Sequence, residues 1–274
     1  MFSELVRSTG RMAQRHTLIC LLVALELTAL PAVATTPDNP AAAGFDHAGS
    51  DSSAVVLADQ AMMRLGGYQN WDNTRYVTWR FFGNRLHVWD KWTGHIRFEQ
   101  GNLTVLMNVI DKNGRAWQSG LQVTNADSLD TLLGSGYRAW INDSYWMFMP
   151  YKLKDSGVSL KHEGEGTTIE GAAAEILQLT FFDVGVTPQN KYHVYIDRGS
   201  KLVVQWDFFA EASDTKPRFQ IPWANWQPHG RLWLSDDRGK RKHSDIAVFD
   251  ALPATVFSDP TPVDMMAFER ASVP

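Results

Sequence analysis

The stretch that decides the fold class is Tyr76-Val77-Thr78-Trp79-Arg80-Phe81. Its large apolar side chains Val77, Trp79 and Phe81 occupy every second position. Successive side chains of an extended chain point to opposite sides, so a period of two collects these three on one face. The stretch therefore predicts a β-strand with one buried face.

Similar short segments follow along the chain, separated by turn clusters such as Asp197-Arg198-Gly199-Ser200. Gly, Asp and Ser favour tight turns, so neighbouring segments are expected to pair as hairpins. We predict strands over 75–81, 86–90, 95–99, 103–110, 115–119, 145–149, 158–162, 175–182, 191–197, 201–209, 231–235 and 243–249. Strands and helices do not alternate, which disfavours a parallel sheet. The predicted class is mainly β (α+β), built as an antiparallel meander.

Two segments have helical spacing instead. The first, over 52–65, has apolar residues at intervals of three or four and stops at Gly66-Gly67. The second begins after Asp127, the expected N-cap, and carries an apolar stripe as far as Trp140. We predict one domain over 51–260, with a flexible leader over 35–50 before it and a tail over 261–274 after it.

The first 34 residues have the layout of a secretory signal peptide. Three arginines precede a mostly apolar run over 18–30, and Ala32 and Ala34 stand where the cleavage site requires small residues. The run is shorter than the ~20 apolar residues of a membrane-spanning helix. We therefore predict cleavage after Ala34, which also removes the single cysteine, Cys20. Export without thiols predicts the bacterial periplasm or cell envelope, with no transmembrane helix in the mature chain.

Charge and motifs disfavour several classes of function. The 26 Lys and Arg against 30 Asp and Glu give a net charge of −4, so no nucleic-acid partner is predicted. One cysteine excludes a disulfide framework and a Cys-ligated metal centre. No catalytic or phosphate-binding motif occurs, and His162-Glu163-Gly164-Glu165 is expected to be a solvated turn. We predict no cofactor, no metal and no catalytic residue; binding is favoured, although a missing motif does not exclude catalysis.

Aromatic residues are the most informative part of the composition: the chain has 11 Trp, 7 Tyr and 14 Phe. Large aromatic side chains dominate the packing of many protein cores. Rigid rings and flexible methionines also suit the walls of a ligand cavity. Both interpretations stay open, with filling of the core slightly favoured over lining of a cavity.

Three runs of sequence carry a resemblance to a known family: Trp89-Asp90-Lys91 with Thr93-Gly94, Trp140-Ile141-Asn142-Asp143-Ser144-Tyr145-Trp146, and Met149-Pro150-Tyr151-Lys152-Leu153-Lys154-Asp155. Over about 57–260 the chain resembles a little-characterised exported bacterial family, grouped with the periplasmic lipoprotein-localisation carriers and the outer-membrane lipoprotein-sorting proteins. The resemblance implies a strongly curved antiparallel sheet that forms an incomplete β-barrel around one or two helices. In the carriers the apolar interior accommodates acyl chains. Their functional arginine has no motif match here at Arg80, Arg85 or Arg97.

These observations lead to one main hypothesis and two alternatives. The main hypothesis is a non-catalytic envelope protein that binds a lipid or lipidated peptide in the half-barrel, with peripheral or transient membrane contact. The candidate lining residues are Trp79, Phe81, Trp89, Met107, Trp117, Trp140, Trp146 and Phe148. One alternative is an exported carbohydrate-binding or hydrolytic protein whose Trp rings stack on sugars. The other is a protein-binding envelope scaffold whose aromatic residues fill the core.

Overall fold

The computed structural model describes residues 39–272, so the predicted signal peptide over 1–34 lies outside the described residues. That range contains three α-helices and fourteen β-strands. The helices are α1 (Ser52–Arg64), α2 (Tyr68–Asn73) and α3 (Ala126–Phe148). The strands are β1 (Tyr76–Phe81), β2 (Arg85–Asp90), β3 (His95–Gln100), β4 (Leu103–Asn108), β5 (Gly114–Gln118), β6 (Leu121–Gln122), β7 (Val158–Thr167), β8 (Ala173–Phe181), β9 (Lys191–Asp197), β10 (Val203–Phe209), β11 (Phe219–Pro222), β12 (Ala224–His229), β13 (Leu232–Asp237) and β14 (Ser244–Phe249).

The strands form three antiparallel sheets. Sheet A has the order β14-β1-β2-β3-β4-β5-β6, sheet B the order β11-β10-β9-β8-β7, and sheet C is the hairpin β12-β13. Within residues 39–272 none of the three closes on itself. This confirms the predicted class: the chain is mainly β with few helices, and its antiparallel sheets stay open, as in an incomplete barrel.

Both faces of β1 are buried, so the expectation of a single buried face is wrong there. On the inner face Trp79 packs with Phe148 of α3. On the outer face Tyr76 packs with Val256 and Met265, which follow β14. The local pattern of β1 carries no sign of this second layer, because the covering residues come from the far end of the chain.

Arg97 of β3 fastens this C-terminal segment, residues 250–272, to the outer face of sheet A. Its side chain is only 1% exposed. The Nη1 atom donates to the carbonyl oxygens of Val256 (3.1 Å) and Asp259 (2.8 Å). Further along, the N–H of Ala271 donates to a carbonyl of β14 (2.8 Å). The described part of the predicted tail is therefore hydrogen-bonded to the sheet.

Helix α3 differs from its prediction at both ends. Its N-cap is Asn125, whose side chain accepts from the N–H of Ser128 (3.0 Å), and not Asp127. It also continues to Phe148, so the predicted strand over 145–149 is wrong. The buried residues at the C-terminal end of α3 are Asp143, Ser144, Met147 and Phe148. They lie three or four positions apart, as on one side of a helix, and not at every second position as in a strand.

A glycine lets α3 lie close to sheet A. A Cβ atom at Gly136 would be 3.3 Å from a methyl group of Val105 on β4. On the same side, Leu129, Leu132 and Leu133 pack on the inner residues of β3, β4 and β5. Sheet A therefore packs on the first half of α3, while the second half packs against sheet B through Tyr145 and Trp146.

Residues 39–50, the described part of the predicted leader, contain no helix or strand and cover the edge of β7. Phe45 is buried within the cluster that sheet B forms with α1. The N–H of Asp46 donates to the carbonyl of Val158 (3.0 Å), and the N–H of Asp51 donates to that of Leu160 (2.9 Å). These bonds occupy backbone groups that an edge strand would otherwise expose.

Candidate binding cavity

A cavity of about 250 Å3 opens between the second half of α3 and one end of sheet B. Its lining residues are Trp89, Trp140, Ile141, Asn142, Ser144, Tyr145, Trp146, Lys152, Asp155, Ser156, Val158, Phe181, Val184, Gly185, Val186, Thr187 and Tyr192. Six of these side chains are aromatic, and all six are half-buried rather than sealed in the core. The lining is thus mostly apolar, as in ligand pockets of other proteins.

Helix α3 supplies half of the aromatic wall, through Trp140, Tyr145 and Trp146. Trp140, Ile141, Ser144 and Tyr145 share one side of the helix, because residues three or four apart are neighbours on a helical surface. The ring of Trp140 meets that of Trp89 on β2 edge-on, with ring centroids 5.3 Å apart. The run that carried the sequence resemblance, 140–146, therefore lies along the cavity.

Sheet B supplies another part of the wall through Phe181, the last residue of β8, and Tyr192 near the start of β9. Tyr192 stacks on Trp206 with ring centroids 4.9 Å apart. Trp206 is fully buried in the sheet B core. The wall of the cavity is consequently continuous with a packed core, which holds its rings in place.

The mouth is formed by exposed residues of three segments: Asn142 of α3, Ser156, and the loop before β9. Gly157 has a positive φ of 73°, and a Cβ there would lie 2.6 Å from the carbonyl oxygen of Phe182, so only glycine allows this close approach of the loop. Val186, which lines the cavity, is 50% exposed, and Phe182, next in the chain to the lining residue Phe181, is 80% exposed. The rim therefore carries apolar surface in contact with solvent at Val186.

The two charged side chains of the wall are paired, and three of its buried polar groups have no partner. Lys152 and Asp155 form an ion pair with each other. The indole N–H groups of Trp89 and Trp140 and the hydroxyl of Tyr145 are buried and have no hydrogen-bond partner among residues 39–272. Burial raises the pKa of Tyr145 well above its usual value, so the hydroxyl keeps its proton at neutral pH.

Asp143, between the lining residues of α3, ties the helix to β2. Its fully buried carboxylate accepts from Nε and Nη2 of Arg85, both at 2.7 Å, and lies 2.7 Å from Nε2 of His87. Burial opposes ionisation of Asp143, but the hydrogen bonds from His87 and Arg85 outweigh it and lower the pKa of this carboxyl. Burial lowers the pKa of His87, so its neutral ring donates to Asp143. This network fixes where α3 places the aromatic wall.

The three arginines considered from the sequence all have structural contacts. Arg85 belongs to the Asp143 network, and Arg97 holds the C-terminal segment. Arg80 forms an ion pair with Asp245 of β14, with Nε and Oδ2 2.6 Å apart. None of the three lines the cavity.

Of the eight candidate lining residues, the structure brings Trp89, Trp140 and Trp146 to the cavity. The other five do not line it and are buried in the packed core: Trp79, Phe81, Met107, Trp117 and Phe148. Tyr145, Phe181 and Tyr192 line the cavity but are absent from the candidates. Tyr145 was obscured by the strand predicted over 145–149; on a helix its position next to Ile141 and Trp140 would have indicated it. Ligand binding by the three shared residues stays a prediction.

The segment 162–165 is not the turn that its composition predicts. It lies inside β7, and His162 Nε2 is 3.0 Å from Glu175 Oε2 on the neighbouring strand β8. No group of three or more His, Cys, Asp or Glu residues suited to hold a metal ion occurs in the described chain. Nor does residue range 39–272 contain a helix with the length and apolar character needed to cross a membrane.

Comparisons with known proteins give structural likenesses only. No family model and no curated protein matches the chain. A DUF1329 family protein from Desulfovibrio piger is 12% identical, with 74% of this chain and 96% of that chain covered and a TM-score of 0.39. A putative outer membrane lipoprotein-sorting protein domain from Vibrio parahaemolyticus is 9% identical (75% and 96% covered, TM-score 0.36), and MucB is 14% identical (68% and 66% covered, TM-score 0.26).

The resemblance predicted from the sequence is confirmed in this respect: a lipoprotein-sorting domain and a member of a little-characterised family are among the similar structures. The three TM-scores reach 0.39 at most. Such likenesses assign no ligand, partner or compartment to this chain. The function proposed below therefore rests on its own residues.

Proposed function

We propose that this chain is an exported bacterial envelope protein that binds a lipid or lipidated ligand by taking an apolar chain into the cavity. The observation that carries the proposal is the wall of six half-buried aromatic side chains around about 250 Å3. Half-buried aromatic rings that line a cavity offer apolar surface to a ligand, and the few polar groups among them can orient it.

The size of the cavity fits one short chain segment. Each methylene group that leaves water for an apolar site gains about 0.8 kcal/mol, so six of them gain about 5 kcal/mol before the cost of association. Because association itself costs about 4 kcal/mol or more, the net binding from this segment is weak and reversible, which suits a carrier or sensor that must release its ligand.

The signal-peptide layout of residues 1–34 supports export to the periplasm or envelope. Transient membrane contact is supported by Val186, which lines the opening and exposes apolar surface, and by the exposed Phe182, which follows the lining residue Phe181 in the chain. Exposed apolar side chains beside an apolar cavity are a common sign of an interaction site. A lipid could then pass between the membrane and the cavity without crossing much water.

The test is native mass spectrometry of the protein purified from cell envelopes, followed by titration with single-chain amphiphiles. Ile141→Trp would place a large ring into the cavity, whereas Arg138→Trp adds the same ring to an exposed position of α3 that does not line it. We expect the protein to carry or accept an amphiphile, Ile141→Trp to lose it and Arg138→Trp to retain it. Protein that carries none and accepts none would contradict the proposal.

The same purified protein also tests the two alternatives, a carbohydrate-binding protein and a protein-binding scaffold. Quenching of Trp fluorescence by a panel of glycans, with no response to amphiphiles, would favour a carbohydrate-binding protein. A copurifying protein, together with unfolding that no small ligand affects, would favour an envelope scaffold.

A further inference from the structure

We propose that the ligand of this cavity is a neutral acyl ester or amide, whose carbonyl oxygen accepts hydrogen bonds from the cavity wall. This inference rests on the proposed function, since it names the chemistry of the ligand that the cavity would hold. Three features of the wall lead to it: the kind of polar atoms it offers, the pairing of its charges, and the contrast between its two tyrosines.

The buried polar atoms that the lining side chains leave without a partner can all donate a hydrogen bond. They are the indole N–H of Trp89, the indole N–H of Trp140 and the hydroxyl of Tyr145, and the described chain offers none of them an acceptor. A buried donor without an acceptor is costly, so a ligand oxygen that reaches one of these groups is favourable. A plain hydrocarbon chain would leave all three unsatisfied.

The charges of the wall favour a neutral acceptor over a carboxylate. Lys152 is the one cation of the lining, and it is already neutralised by Asp155. A ligand carboxylate would enter an aromatic environment without a free countercharge, which is strongly unfavourable. An ester or amide carbonyl accepts hydrogen bonds without bringing a net charge.

The two tyrosines of the wall differ in the state of their hydroxyl groups. The Tyr145 hydroxyl is buried and has no partner within residues 39–272. The Tyr192 hydroxyl does not belong to the buried groups without a partner. Burial of Tyr192 raises its pKa to about 12, so this hydroxyl also keeps its proton at neutral pH. Tyr145→Phe and Tyr192→Phe therefore form a matched pair, because each removes one hydroxyl from the same wall and keeps the ring.

The experiment compares 1-octanoylglycerol with 1-O-octylglycerol by isothermal titration calorimetry. These probes share the glycerol head and the chain length and differ in the carbonyl group, which only the ester has. We expect the unmodified protein to bind the ester about threefold to tenfold more tightly than the ether, the ratio that one net hydrogen bond supplies. Tyr145→Phe should lower that ratio towards one, and Tyr192→Phe should leave it unchanged.

Equal binding of ester and ether by the unmodified protein would overturn this inference and leave the proposed function standing. So would a Tyr145→Phe variant that keeps the full preference for the ester. Tighter binding of octanoate than of the ester at pH 8 would overturn the requirement for a neutral ligand. Absence of binding to every one of these probes would overturn the proposed function and the inference together. Thermal unfolding of both variants checks that each is folded at the temperature of the titration.

Discussion

Replacing Asp143 by Asn should destabilise the protein by about 3 kcal/mol. The carboxylate is fully buried and accepts two hydrogen bonds from Arg85 and one from His87, each at 2.7 Å. Removing one member of a buried ion pair costs roughly 3–5 kcal/mol, because the remaining charge stays buried without a partner. The Arg85 side chain is 24% exposed, so water recovers part of this loss and the lower end of the range applies.

Urea unfolding followed by Trp fluorescence measures the free energy of unfolding. The matched control is Asp245→Asn, which breaks the ion pair with Arg80 at the surface. In that pair both side chains are about a third exposed (33% and 34%), so we expect a cost below about 1 kcal/mol. Equal costs for the two variants would refute the assignment of Asp143 as a buried anchor of α3.

The pH dependence supplies a second readout for the same residue. The pKa of Asp143 is lowered in the folded protein from its usual 3.8. Its stabilising contribution is therefore complete above pH ~4 and disappears as the pH falls through the lower, folded pKa. The stability difference between the unmodified protein and Asp143→Asn should shrink on acidification below pH ~4. A difference that stays constant over that range would contradict the lowered pKa.

Two further predictions concern α3 and the half-buried Lys91. Gly136→Leu should destabilise the protein by about 1–3 kcal/mol, because a Cβ there already lies 3.3 Å from Val105. Gly134→Ala, which meets only the flexible end of Arg138, should stabilise it by up to about 1 kcal/mol; urea unfolding compares both. Burial lowers the pKa of Lys91 to about 7. Between that value and its usual 10.5 the unfolded chain binds the extra proton, so stability should rise with pH by at most about 1.4 kcal/mol per unit. Lys91→Met should abolish this rise between pH 7 and 9 in thermal unfolding; an unchanged slope would contradict it.

The sequence predicts best where contacts are local. Strands β1 to β5 follow one another through short turns, and each pairs with its neighbour along the chain. Period-two patterning and turn residues are sufficient for such a meander. The elements α2, β6, β11 and β12 were missed, because none of the four has a buried residue and none therefore shows a clear apolar period.

Local sequence patterns did not predict the contacts between distant parts of the chain. Nothing near Tyr76 indicates that Phe249 lies opposite it in sheet A. Likewise, the division of the aromatic residues between core and cavity depends on which elements meet. Trp79 and Trp89 lie on neighbouring strands, yet only Trp89 reaches the cavity, since Trp79 is covered by Phe148 of α3.

The pairing of β1 with β14 also sets the order in which the protein can fold. Sheet A has the first strand of the described chain beside its last strand. Its central hairpins can form early, but β1 has a free edge until β14 is present, and long-range strand pairing is slow. The outer layer that Arg97 holds follows β14 and arrives later still. Sheet A of such a chain stays incomplete, with an unpaired edge at β1, until the C-terminal residues are available.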